Sequence, residues 1–172
     1  MKKRAGIIFL LSLVFSVCYA DTNRPVLTTA GVVTLCPDNK IILIERGKKP
    51  FGLAMFGGHV EYESPLDAFR REAKEELSLR ELTNIRLIGV HGEPGRDPRQ
   101  HSVEITYSCT TTQKPQAASD AKAIKLYSIP ELENIMDSQN FAFDHKMILM
   151  KYFRMIEGCN PCQEVCEIGV LP

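Results

Sequence analysis

Residues 57–79 read GGHVEYESPLDAFRREAKEELSL, and this stretch decides the fold. A pair of glycines opens it, and Ser64-Pro65 then supplies a capping hydroxyl and a proline suited to the first helical position. Strong helix formers dominate the rest, so the spacing predicts a helix over 64–79. On that helix Leu66, Phe69, Ala73 and Leu77 form an apolar side that packs on a sheet. Glu72, Glu75 and Glu76, at i, i+3 and i+4, converge on another face, where each like-charge pair costs roughly 0.2–0.5 kcal/mol. A divalent cation removes that repulsion. Magnesium, with manganese as an acceptable substitute, takes hard oxygen ligands and keeps several waters. That suits three carboxylates and a nearby glycine carbonyl, that of Gly57, with a diphosphate held between them. The competing reading is a solvated helix whose glutamates pair with Arg70, Arg71 and Lys74.

Outward from this stretch the chain alternates between strands and helices. On the N-terminal side, 26–35 and 40–45 are β-branched apolar runs separated by Pro37-Asp38-Asn39, read as strand, turn and strand. Residues 47–52 form a loop, and 53–62 enter and leave the glycine turn as short extended pieces. On the C-terminal side, 85–90 and 102–111 are strands joined by the polar loop 91–101, and 112–120 is a polar connection. A last strand over 123–127 precedes a short helix over 129–136 and a longer one over 143–155, with Met147, Ile148 and Met150 offered to the core. This order predicts an α/β fold, an α/β/α sandwich with a mixed β-sheet. At 172 residues the chain suits one domain able to bury a core without disulfides. No Ser–His–Asp arrangement and no Walker-type loop is present.

The 57–79 segment resembles the Nudix box, G-x5-E-x7-R-E-U-x-E-E-x-G-U with U aliphatic. Here it reads Gly57, Glu63, Arg71, Glu72, Ala73, Glu75, Glu76, Ser78 and Leu79. The resemblance implies that Glu72 and Glu76 are the principal metal ligands, that Glu75 is a further ligand or the base, and that Arg71 with Glu63 braces the loop–helix junction. The sequence departs from the pattern where Ser78 replaces the closing glycine, where Ala73 and Phe69 are unusual in size, and where the glycine loop is one residue short.

The resemblance extends beyond the box toward the ADP-ribose pyrophosphatase-like branch. Gly95-Arg96-Asp97-Pro98-Arg99 is similar to that branch's R-D-P-R loop, Phe141 to His145 to its L-A-F-D-H segment, and Asp120-Ala121 to its approach to the last strand. Arg96 and Arg99 are therefore expected to reach substrate, since a guanidinium offers phosphate a planar fork of donors. Gly57, Gly58 and His59 are the other expected substrate contacts. A bracing role for the loop's Asp97–arginine pair, and a space-filling role for His59, stand as alternatives. Asp144 reads as a helix-start cap rather than half of an acid–base dyad. A glutamate common in this branch is replaced by Ala123, which leaves Glu104 or Glu75 as the base, and Phe51, Phe56 and Tyr127 are the candidates for stacking a nucleobase.

Charge and cysteines set the context. Residues 1–20 combine a basic start (Lys2, Lys3, Arg4), an apolar run over 5–17 and small residues before Asp21, the pattern of a cleaved secretory signal. The run is short for a membrane span, though an uncleaved anchor is the alternative. Lysine plus arginine equals aspartate plus glutamate at 21 each, so cleavage leaves a mildly acidic domain over 21–156. That gives no support to a nucleic-acid polymer or an anionic membrane as partner, with no stable membrane insertion expected after cleavage, and leaves a small nucleotide substrate; a homodimer is compatible with the sequence. The five remaining cysteines include Cys159, Cys162 and Cys166 in a 157–172 tail. Three ligands are one short of a closed zinc site, so a disulfide within the tail or from tail to body is expected, with one thiol left over.

The expected protein is an exported, periplasmic or secreted Nudix hydrolase. It would use Mg²⁺ to cleave the diphosphate of ADP-ribose or a similar nucleotide sugar. A nucleoside triphosphate or oxidised-nucleotide diphosphatase, and a catalytically silent nucleotide-binding domain, are the alternatives.

Overall fold

The structure, a computed structural model, describes residues 24–117 and 121–167; the expected signal segment and Asp120 lie outside them. Among the described residues, seven strands and three helices follow one another as β1 (Val26–Leu35), β2 (Lys40–Arg46), β3 (Leu53–Ala54), β4 (Phe56–His59), α1 (Pro65–Leu77), β5 (Thr83–His91), β6 (Ser102–Thr111), β7 (Ala121–Tyr127), α2 (Ile129–Ile135) and α3 (His145–Met155). All strands belong to one mixed sheet. β1 lies at its centre, parallel to β6 along its whole length and antiparallel to both β2 and β4. β5 extends the sheet beyond β6, while β3 and β7 extend it beyond β2.

Strand alternation divides the core between the two faces of the sheet. Val32, Ile41 and Leu43 join Leu132, Ile148, Leu149 and Tyr152 beneath α2 and α3. Their strand neighbours Val33, Ile42 and Ile44 join Phe69, Ala73 and Leu77 of α1. This is the expected α/β/α sandwich. Phe69 fixes α1 to the sheet, its ring centroid 5.1 Å from that of Phe56 and 5.1 Å from that of Tyr107. That contact accounts for the large residue at this helix position.

Helix ends follow local chemistry. Ser64 caps α1 by accepting from the Asp67 N–H, and Ser128 and Glu131 form a reciprocal capping box at α2. α1 stops two residues before the predicted end because Ser78 turns into the left-handed region at φ 58°. α3 also begins two residues later than predicted. Phe143 has φ 58°, which no helix accommodates, and Asp144 stands at the cap position without capping. Its carboxylate is used elsewhere. Two of the methionines offered to the core, Met147 and Met150, are exposed, and Leu149 fills the core beside Ile148.

The cysteines pair both within the tail and between tail and body. Cys159 joins Cys166, and Cys162 joins Cys36 just beyond β1. Cys109 is free and buried. Among the described residues no helix is long and apolar enough to cross a membrane.

Candidate active site

A cleft of about 310 Å³ opens where the N-terminal half of β1 meets β4 and α1. Thr28, Gly57, Gly58, Arg71, Glu72, Glu75 and Glu76 line one part of it, and Arg46, Arg99 and Phe143 line another. The helix therefore delivers its three glutamates to one space, as their spacing predicts. The Glu76 carboxylate accepts the Gly57 N–H at 3.1 Å, fixing helix to turn. Gly57 has φ 156° and lies against the Thr29 carbonyl, while a Cβ on Gly58 would overlap the Glu72 carboxylate. Gly57 thus lets the turn lie close against β1, and Gly58 lets it lie close against the helix.

Arg71 holds the junction together. Its Nε and Nη2 donate to Glu63 Oε1 at 2.9 and 2.8 Å, and Nη2 also reaches the His59 carbonyl at 2.8 Å. Its Nη1 meets Glu72 Oε1 at 2.7 Å and Glu75 Oε2 at 3.2 Å. The hydrogen bond to Glu63 is the main cause of its raised pKa. Burial raises the Glu72 carboxyl above its usual range, and Arg71 only partly opposes this. The Glu75 side chain, at 51% exposure, is the most accessible of the three glutamates'. His59 is exposed at the rim, its ring facing Gln100.

The residues suit a divalent cation by chemistry: three carboxylates beside backbone carbonyls in one cleft, one of them destabilised as an anion by burial. Among the described residues no three acidic, histidine or cysteine side chains already enclose a point.

The two arginines of the 95–99 loop have different surroundings. Arg99 is 42% exposed and lines the cleft, with Nε and Nη2 donating to Asp97 at 2.9 and 2.7 Å. The Arg96 side chain is only 3% exposed. Its guanidinium donates to both Asp144 oxygens at 3.0 and 2.6 Å, to Ser102 at 3.1 Å, and pairs with Glu104 at 3.1 Å. Asp144 is consequently not the helix cap expected of it. Glu104 also meets His145 Nε2 at 3.4 Å, and His145 Nδ1 accepts the Met55 N–H at 3.0 Å. An accepting Nδ1 places the proton on Nε2, which donates to Glu104. Burial opposes ionisation of Glu104, but His145 and Arg96 outweigh it and hold the carboxyl down at about 2. This network anchors the strand entering the glycine turn, and it leaves Glu104 a poor proton acceptor.

One expectation is corrected here: Phe56 is fully buried in the core and is not available to stack a base. Phe51 and Tyr127 line a neighbouring groove with Lys122 and Lys125, which shares Arg46 with the cleft. Ala123 pairs with Glu45 on β7 away from the cleft. Sequence reasoning overlooked Arg46, Lys48 and Phe143. The cations immediately after the apolar β2 run were the available signal for the first two.

Comparison with known proteins agrees with this geometry. The NUDIX domain family matches residues 26–149. An ADP-ribose pyrophosphatase of Methanocaldococcus jannaschii is 34% identical over 140 residues, which are 78% of this chain and 77% of that one. Among solved structures, a MutT/nudix family protein from Enterococcus faecalis aligns with a TM-score of 0.68 at 26% identity, covering 83% of this chain and 67% of that one. The NUDIX domain of Shewanella oneidensis NrtR, solved with ADP ribose, shares the fold with a TM-score of 0.67 at 21% identity, covering 76% and 88%. With its box, cleft and sheet in place, the chain belongs to the Nudix family and is one of its pyrophosphohydrolases.

Proposed function

We propose that this protein is an exported enzyme that hydrolyses the diphosphate of ADP-ribose or a similar nucleotide sugar with Mg²⁺, releasing two monophosphates. The observation that carries this reading is one cleft lined by Glu72, Glu75 and Glu76 and also by Arg99, suited to a cation and to the anion it accompanies. The substrate follows the M. jannaschii relative. Export is supported by the leader-like residues 1–20 and by two disulfides, which suit an oxidising compartment.

In this mechanism Glu72, Glu76 and the Gly57 carbonyl would hold a cation, which when bound would neutralise the diphosphate and lower the pKa of a water. The chain's own groups supply the rest. Glu76 holds Gly57 against the helix, and Gly58 leaves room for the Glu72 carboxylate at the turn. Arg71 and Glu63 keep the turn closed, and Arg99 binds phosphate with His59 at the rim. Glu75, exposed and adjustable, takes the proton of the attacking water. Arg96 acts from beneath, by holding Asp144 and Glu104. The test is a panel of ADP-ribose, other nucleotide sugars and nucleoside triphosphates with Mg²⁺, with products identified. AMP and ribose 5-phosphate from ADP-ribose support the reading, and exclusive release of pyrophosphate from triphosphates overturns the substrate.

A further inference from the structure

Phe143 combines two features that the cation site does not explain. Its φ of 58° lies in the left-handed region, where a bulky aromatic residue is rarely held unless its surroundings enforce it. Its ring also carries two guanidinium groups, the Arg46 carbon 4.8 Å and the Arg99 carbon 5.1 Å from the ring centroid. The two cations therefore lie no farther apart than the sum of those distances. They come from different parts of the chain, the end of β2 and the 95–99 loop, and meet at a residue just before α3.

We infer that Phe143 is a positioning residue, whose ring seats Arg46 and Arg99 as a two-guanidinium receptor for the diphosphate oxygens of the substrate. The identity of that anion rests on the function proposed above. Like charges this close repel, and the negative face of the ring offsets part of that repulsion. Each guanidinium is also held at its edge, Arg46 by Nε donating to the Pro50 carbonyl at 2.8 Å and Arg99 by Asp97. Planar donors fixed in this way bind phosphate without first losing side-chain freedom. A helical φ at residue 143 would start α3 earlier and carry the ring elsewhere. The left-handed backbone is thus the means by which the ring enters the cleft.

A space-filling role is the competing explanation, since Phe143 packs against the α1-side core and its centroid lies 5.0 Å from that of His145. Phe143→Leu keeps apolar bulk and removes the aromatic face, whereas Phe143→Tyr keeps the face. With ADP-ribose and Mg²⁺, Phe143→Leu is expected to raise KM at least fivefold with kcat within twofold, and Phe143→Tyr to restore KM to within twofold of the parent. The same loss is expected in the affinity for inorganic pyrophosphate, measured calorimetrically without metal. Unchanged KM and unchanged pyrophosphate affinity in Phe143→Leu overturn the inference. Should Phe143→Leu fail to fold, Arg46→Lys, which keeps the charge and loses the stacked plane, carries the same expectation and the same contrary result. If the parent does not cleave ADP-ribose, the substrate assignment falls, and the pyrophosphate measurement still decides the role of Phe143.

Discussion

Glu72 shows how one residue links folding to cation binding. Its carboxyl is raised above the usual carboxylate range, chiefly by burial. A raised folded pKa means the native state favours the proton, so ionising Glu72 costs stability as pH climbs through that pKa. A cation that binds the carboxylate recovers the loss and competes with the proton. The Mg²⁺-induced rise in Tm should therefore be absent near pH 4 and grow as pH increases above 4.5; a rise independent of pH would contradict this role for Glu72. Glu104 has the opposite sign. Its stabilisation is complete above 4.5 and is lost as pH falls toward about 2. The sequence disclosed Glu72, Glu75 and Glu76 because helix periodicity alone places them together. It could not disclose the surroundings of Arg96, whose partner Asp144 lies 48 residues away in the chain.

At the scale of elements, α1 carries the glutamates and its end is strained. Ser78 has φ 58° and ψ 21°, while the Ser78 and Leu79 N–H groups return to the Lys74 and Ala73 carbonyls. That closure calls for a left-handed residue, which costs a non-glycine residue about 1–2 kcal/mol. Glycine removes the strain but adds freedom to the unfolded chain. Ser78→Gly is therefore expected to stabilise the protein by about 0.5–1 kcal/mol, read by urea unfolding, with kcat unchanged; destabilisation would show that the cap is not strained. Most elements were legible because strand alternation and helix period are local signals. The start of α3 was not, since Phe143 continues an apolar pattern and only its contacts with two distant arginines reveal its separate conformation.

At the scale of the molecule, the sheet has a functional end and a stapled end. Thr28 and Thr29 line the cleft, whereas Cys36, just beyond the other end of β1, holds the tail through Cys162. At about 3.3 Å per strand residue the two ends are roughly 25 Å apart. The Cys36–Cys162 link spans 126 residues, and closing a loop of that size contributes about 4–5 kcal/mol through the unfolded state. Cys162→Ser should lower Tm by roughly 8–20 °C and leave kcat at 25 °C unchanged. A matching fall in kcat would mean that the staple reaches the site. Cysteine spacing fixes no pairing, so this link became visible only once tail and β1 met in the fold. In the function proposed above, the α1 glutamates hold the cation that makes diphosphate hydrolysis possible. Its most direct test is Mg²⁺-dependent ADP-ribose hydrolysis by Glu76→Gln, which still accepts the Gly57 N–H but lacks the charge. The account predicts a fall in kcat of at least ~100-fold with Tm little changed, and undiminished turnover would contradict it.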